Sequence, residues 1–170
     1  RYDANMFTPV IRRAVREQRV VEGEHYTVYL PAFDDKKLVP LLSRIKGISW
    51  QIFSKHVRKP YHTGKLSVYP INNDAFALSM ATCKGMVCGA GFETPAEALF
   101  MRKKLLVIPM KSQLEQHYNA ASLKQMGVAV LKNLKKHRLD TIREWIDSNH
   151  RVEVEYGDHT AEAVALAMSF

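Results

Sequence analysis

Residues 84–97 read KGMVCGAGFETPAE, an apolar run followed by a turn and the start of a helix. Three of the eight glycines of the chain, Gly85, Gly89 and Gly91, fall in this stretch. A strand that ends in small residues and opens a helix leaves backbone N–H groups unpaired at the positive end of the helix dipole, where a phosphate can bind. The stretch therefore predicts a strand, a turn and a helix with an anion site at residues 91–94.

Two local patterns bear on this interpretation. Thr94 and Glu97 have the spacing of a capping box, which by itself accounts for both residue types. Gly89 and Gly91 do not complete a dinucleotide-binding fingerprint, because no third glycine follows and the turn at residues 31–34 contains none. This argues against a hydride-transfer enzyme. The phosphate-binding and capping interpretations of the turn both stay open on local pattern alone.

Apolar runs and helical periodicity alternate on both sides of this stretch, a pattern typical of βαβ units on a parallel sheet. The predicted strands are residues 25–33, 50–57, 65–71, 85–89, 104–110 and 128–131. The predicted helices are residues 36–45, 74–83, 95–102, 113–126, 141–147 and 161–168. We therefore expect an α/β fold, Rossmann-like, with a mainly parallel six-stranded sheet and helices on both faces.

The segment before the first strand differs from the rest of the chain. Thr8 followed by Pro9 is typical of an N-cap and a first helical turn, and three arginines make the predicted helix polar. The chain begins at Arg1 rather than at a methionine. We expect residues 1–24 to be a connector helix from a missing N-terminal domain and residues 25–170 to form the ligand-binding domain.

The composition limits the class of protein. With 170 residues, 46% hydrophobic and 25% charged, the chain has the size and balance of one soluble domain, and no apolar run approaches the roughly 20 residues of a membrane span. Only two cysteines are present, which fits a reducing, cytoplasmic setting. The formal charge of +8 favours phosphates, nucleic acid or anionic lipid as partners. None of the seven histidines has a metal-ligand spacing, so no metal is expected.

A second polar helix start follows the next predicted strand. Residues 112–115 again have the spacing of a capping box, and they open the helix that carries Gln116 and Asn119. Both helix starts follow the carboxyl ends of neighbouring parallel strands, where ligands bind open α/β sheets. We therefore expect the two starts to line one crevice.

Three ordered blocks resemble the donor-site signature of GT-B glycosyltransferases: GAGFETPAEAL at 89–99, KLLVIPM at 104–110 and EQHYNAASL at 115–123. The chain is similar to the C-terminal domain of the group that contains the peptidoglycan N-acetylglucosaminyltransferase forming lipid II, and to related predicted glycosyltransferases of bacteria and archaea. The resemblance implies the donor-binding half of a hexosyl or N-acetylhexosaminyl transferase. Its donor would be a nucleotide sugar, UDP-linked by family habit, and its acceptor would lie on the absent N-terminal domain. It implies no cofactor, no metal, and no transfer by this fragment alone.

The resemblance also implies a role for each residue of the donor site. Glu97 would accept hydrogen bonds from the ribose hydroxyls, Glu115 and Gln116 would contact the sugar, and the backbone of Ile71 would contact the base. The residues that would surround the diphosphate are Gly89, Gly91, Phe92, Glu93 and Thr94. Relatives carry histidine or arginine at the position of Gly89 and glutamine at that of Glu115, and here Glu93 adds a negative charge close to the helix start.

Two other functions fit the sequence. A sugar-nucleotide 2-epimerase shares the two-domain fold and the donor crevice of these transferases, and a non-catalytic module could bind polyanions through its positive surface. An anionic inner-membrane face or a lipid-linked acceptor would meet the basic residues Arg102, Lys103, Lys104, Lys132, Lys135, Lys136 and Arg138. These clusters lack interleaved aromatic side chains, which argues against nucleic acid.

Overall fold

A computed structural model describes residues 6–169, which contain one sheet with the strand order β3-β4-β2-β1-β5-β6-β7. The strands are β1 (His25–Tyr29), β2 (Ser49–Ser54), β3 (Tyr61–Thr63), β4 (Leu66–Pro70), β5 (Gly85–Cys88), β6 (Lys104–Val107) and β7 (Ala129–Val130). The helices are α1 (Arg13–Arg16), α2 (Asp35–Leu42), α3 (Asn73–Thr82), α4 (Glu93–Phe100), α5 (Leu114–Gln125), α6 (Leu139–Asp147) and α7 (Thr160–Ala167). A 3₁₀ turn at Lys136–Arg138 precedes α6.

The central strands are buried on both faces. Every residue of β5 and β6 is buried, and Val28 of β1 pairs in parallel register with Ile52 of β2 and Val87 of β5. Apolar side chains on both faces of a strand require helices on both sides. The predicted α/β fold, Rossmann-like and mainly parallel, is therefore confirmed.

Two hydrophobic cores lie on the opposite faces of the sheet. One contains residues of α3, α4 and α5, such as Met80 and Leu99. The other contains residues of α2 and α6, such as Leu38 and Ile142, around the fully buried Trp50. Because helices α4 and α5 share one face, their starts meet at the same corner of the sheet.

The strand order fixes where a ligand can approach. The chain builds β2 and β4 on one side of β1, and then crosses over to build β5, β6 and β7 on the other side. Loops that leave β1 and β5 therefore diverge to opposite faces and open a crevice at the carboxyl ends of the strands. The predicted phosphate-binding turn, which follows β5, lies beside this crevice.

The sheet has seven strands where six were predicted. The additional strand, β3, is a three-residue edge strand antiparallel to β4, and the two are joined through a turn in which Gly64 has a φ of +58°. All residues of β3 are exposed, so the segment carries no apolar alternation from which a strand could be predicted.

The segment before the sheet forms less helix than predicted. Helix α1 begins at Arg13 rather than at Thr8, whose hydroxyl instead donates to the carbonyl of Gly157 over 3.1 Å. Ile11 and Val15 are buried in the core of the α3–α5 face. Residues 1–5 of the predicted connector, and residue 170 of the predicted ligand-binding domain, lie outside the described residues. Within the described part of the chain, no helix combines the length and the apolar character that a bilayer span requires.

Candidate donor site

The turn after β5 presents unpaired backbone donors. Helix α4 begins at Glu93 with Phe92 as its N-cap residue, and no side chain caps it. The first N–H groups of a helix have no acceptor within the helix. Within residues 6–169, the N–H groups of residues 91–94 donate to no other part of the chain. A methyl group built on Gly91 would meet nothing within 4 Å, so open space lies beside the Cα of Gly91.

Helix α5 holds this turn in place. The side-chain oxygen of Gln116 accepts from the N–H of Ala90 at 3.2 Å and from the N–H of Met110 at 3.0 Å, and its amide nitrogen donates to Gln113 at 2.6 Å. Asn119 donates to the carbonyl of Ala90 at 3.2 Å. The loops that follow β5 and β6 are thereby joined through one buried amide, and both backbone groups of Ala90 are satisfied.

Glu97 forms an ion pair that the sequence pattern does not predict. Its two carboxylate oxygens accept from Nε of Arg12 at 2.5 Å and from Nη2 of Arg12 at 2.8 Å. The Glu97 side chain is 1% exposed, whereas that of Arg12 is 40% exposed, so the arginine lies between the carboxylate and solvent. The hydrogen bond to Glu97 raises the pKa of Arg12, although partial burial opposes it, and the charges of Glu97 and Glu93 raise it further.

Neither predicted capping box forms. Phe92, not Thr94, is the N-cap of α4, and Gln113 is the N-cap of α5 with no side-chain hydrogen bond to that helix start. Glu97 turns instead to Arg12, a residue 85 positions away in sequence. The capping interpretation of Thr94 and Glu97 is therefore wrong, and the helix starts keep free N–H groups.

The structure brings most of the predicted site together but separates Ile71 from it. Gly89 lies against the Gln116 side chain, which a methyl group at Gly89 would approach to 3.4 Å. Glu115 lies exposed at the start of α5, where it accepts from Asn119 at 3.4 Å. Ile71 is also exposed, but it follows β4, three strands from β5 and therefore about 14 Å along the sheet edge.

A second polar cluster lies across the crevice, after β1 and β2. The buried Asp35 opens α2, and its carboxylate accepts from the Tyr61 hydroxyl at 2.6 Å and from the Ser54 hydroxyl at 3.4 Å. Partial burial and this hydrogen bond raise the pKa of Tyr61 to about 12. These hydrogen bonds attach the β3–β4 hairpin to α2, and the chain itself supplies the partners of the Asp35 carboxylate.

Two lysines of the predicted basic clusters are buried at the other end of the sheet. The Lys103 ammonium donates to the carbonyls of Val21 and Cys83, and that of Lys104 donates to the carbonyls of Ile146 and Ser148 at the end of α6. Burial lowers the pKa of both lysines. Neither ammonium is available to an anionic membrane. Among residues 6–169, no three His, Cys, Asp or Glu side chains are arranged to hold a metal ion.

Comparison with known proteins supports the fold and identifies the family. The solved structure titled as the glycotransferase of kitacinnamycin matches 85% of the chain with a TM-score of 0.59 and 15% identity. The glycosyltransferase SnogD from Streptomyces nogalater matches 94% of the chain with a TM-score of 0.51 and 17% identity. The matches cover 41% and 45% of those chains, so this chain spans less than half of either structure.

A search of curated proteins found no match. The sequence model described as glycosyl transferase family 1 matches residues 1–148, which is most of the chain. The chain therefore belongs to glycosyl transferase family 1.

Proposed function

We propose that this chain binds the nucleoside diphosphate part of a sugar donor, a UDP-sugar, at the carboxyl ends of β5 and β6. The observation that carries the proposal is the row of unpaired N–H groups at residues 91–94, in a turn that is held by the Ala90 N–H donating to Gln116 and by Asn119 donating to the Ala90 carbonyl. Backbone donors at a helix start suit a diphosphate because they complement its charge without having to be reoriented.

These donors also account for the proposed chemistry. When a sugar leaves its nucleoside diphosphate, negative charge grows on the departing phosphate oxygens. Fixed N–H groups and the positive end of α4 stabilise that charge more in the transition state than in the ground state. In this proposal the acceptor and the general base are supplied by a partner domain, and the chain alone does not transfer the sugar.

The remaining contacts of the donor follow from the family resemblance. Glu115, exposed at the start of α5, would accept from sugar hydroxyls, and Ile71 would contact the base. The ribose would reach the second lone pairs of the Glu97 oxygens. Because Arg12 covers Glu97, that contact requires the guanidinium to shift while it keeps its ion pair with Glu97. The buried Gln116 supports the site from behind, and its oxygen is already used by two backbone N–H groups.

Calorimetric titration with UDP tests the proposal, with GDP and TDP as comparisons. Glu93 is exposed at the start of α4, so the Glu93→Gln variant should fold normally and remove a charge that repels the diphosphate. We expect UDP to bind the variant about 2- to 5-fold more tightly, the effect of one charge at a helix end.

Glu115→Gln is the matched control, because it makes the same change at the start of the neighbouring helix. It should leave UDP affinity unchanged and alter the affinity for UDP-sugars, since only the sugar would reach Glu115. No saturable UDP binding at millimolar concentration would contradict the proposal. Salt-sensitive binding to polyanions without nucleotide preference would favour a binding module instead.

A further inference from the structure

We infer that Arg12 is a donor-binding residue whose guanidinium contacts the diphosphate, and that Glu97 holds it in position. This inference rests on the proposed function. In the ion pair of Arg12 with Glu97, solvent reaches the guanidinium and does not reach the carboxylate, so the arginine faces outward.

The geometry of the pair leaves part of the guanidinium free. An arginine has five N–H donors in a rigid planar fork. Glu97 takes two of them, through Nε and Nη2, and the described residues accept no hydrogen bond from the rest. Three donors therefore remain on a group that is 40% exposed. A buried carboxylate that accepts hydrogen bonds from one edge of the planar guanidinium fixes the direction of its opposite edge. Arginine recognises phosphate through such an oriented edge.

The Arg12–Glu97 pair lies near the beginning of α4, the helix whose start carries the unpaired backbone donors. Glu93 and Glu97 are four residues apart and so share one face of α4, with a rise of about 6 Å between them. Side chains on a helix lean towards its N-terminus, which carries the Glu97 carboxylate, and Arg12 with it, towards the start of α4. The charge of Glu93 raises the pKa of Arg12, as this proximity requires. Pro9, three residues before Arg12, lines the same groove as Gly91 and Phe92.

Arg12 also brings a positive charge to the site. Glu93, exposed at the start of α4, contributes a negative charge beside the proposed diphosphate. An arginine that reaches this corner from the segment before the sheet offsets that charge. Donor binding would then depend on residues 9–12 as well as on the sheet.

Titration of matched variants with UDP and with uridine tests this inference, because uridine lacks the diphosphate. We expect Arg12→Gln to weaken UDP binding roughly 10- to 100-fold, the effect of a charge-assisted hydrogen bond, and to leave uridine binding unchanged. Arg12→Lys keeps the charge without the planar fork and should give a smaller loss. Arg13→Gln removes the same charge from an adjacent exposed arginine that pairs with Glu17, so UDP binding should stay within 2-fold.

Four outcomes would overturn the inference. Equal weakening of UDP and uridine would mean that Arg12 acts through the shape of the ribose site. Tighter UDP binding in Arg12→Gln would mean that Arg12 only covers Glu97. Unchanged UDP binding would remove Arg12 from the site while leaving the proposed function intact, whereas absence of UDP binding to the unaltered chain would contradict both. Circular dichroism melts identify a variant that fails to fold. If Arg12→Gln fails to fold, the ratio of UDP affinity to uridine affinity in Arg12→Lys tests the inference.

Discussion

Replacing Gln116 by alanine should destabilise the protein, because two backbone N–H groups elsewhere in the chain lose their acceptor. The Gln116 oxygen accepts from the N–H groups of Ala90 and Met110, which belong to the loops after β5 and β6. Gln116 is 9% exposed and Ala90 is fully buried, so water replaces the lost acceptor poorly. An unpaired buried donor costs about 1–3 kcal/mol. Because Met110 is only half-buried, we expect a loss of about 2–4 kcal/mol in the free energy of unfolding.

Urea denaturation followed by circular dichroism measures this loss. The matched control is Tyr118→Ala, which truncates an exposed side chain two positions further along α5 and should change stability by less than about 0.5 kcal/mol. We also expect Gln116→Ala to weaken UDP binding, because the turn at residues 89–92 loses its attachment to α5. A loss of stability no greater than that of the control would contradict the role of Gln116 in joining the two loops.

Three further predictions concern groups outside the donor site. Partial burial and the hydrogen bond to Asp35 raise the pKa of Tyr61 to about 12, so the stability that its neutral phenol contributes should be complete below pH 10 and lost as pH rises through about 12. The difference in tyrosinate absorbance between wild type and Tyr61→Phe should therefore titrate near pH 12, and titration near pH 10 would contradict this prediction. Burial lowers the pKa of His25 below 6.5, so the contribution of the neutral imidazole to stability is present above pH 6.5 and is lost as pH falls through the folded-state pKa. The urea midpoint of His25→Gln should therefore fall less steeply with decreasing pH than that of wild type, and equal pH dependence of the two midpoints would contradict this prediction. Lys104→Met should lower the unfolding free energy by about 1–3 kcal/mol, measured by thermal melts, because carbonyls at the end of α6 lose their donor, whereas the same change at the exposed Lys111 should have almost no effect.

The sequence predicted the sheet well because its central strands are buried on both faces and appear as continuous apolar runs. The strands that begin at Gly85 and Lys104 were predicted to begin at those residues. The edge strand β3 escaped prediction, since its three exposed residues pair only with β4 and carry no hydrophobic pattern. Lys103 and Lys104 were predicted as surface charges, because no local pattern shows that their ammonium groups reach carbonyls elsewhere in the chain.

The placement of the predicted site residues follows from strand order, whereas the contacts that distant side chains make there have no signal in the local sequence pattern. The turn after β5 and the start of α5 meet because parallel strands end at one edge. The pairing of Glu97 with Arg12 spans 85 positions, and the spacing of Thr94 and Glu97 imitates a capping box that does not form. Gln116 was predicted as a sugar contact from the resemblance, and its use by two backbone N–H groups becomes visible only once the loops are placed.

The most direct measurement is an amide chemical-shift titration of the isotopically labelled chain with UDP. We predict saturable shifts of the Gly91, Phe92, Glu93 and Thr94 amides, the groups without an acceptor among the described residues, and weaker shifts of these amides with uridine. Shifts confined to the basic residues 132–138, or no saturable shifts at residues 91–94, would contradict the claim that this helix start binds the donor diphosphate.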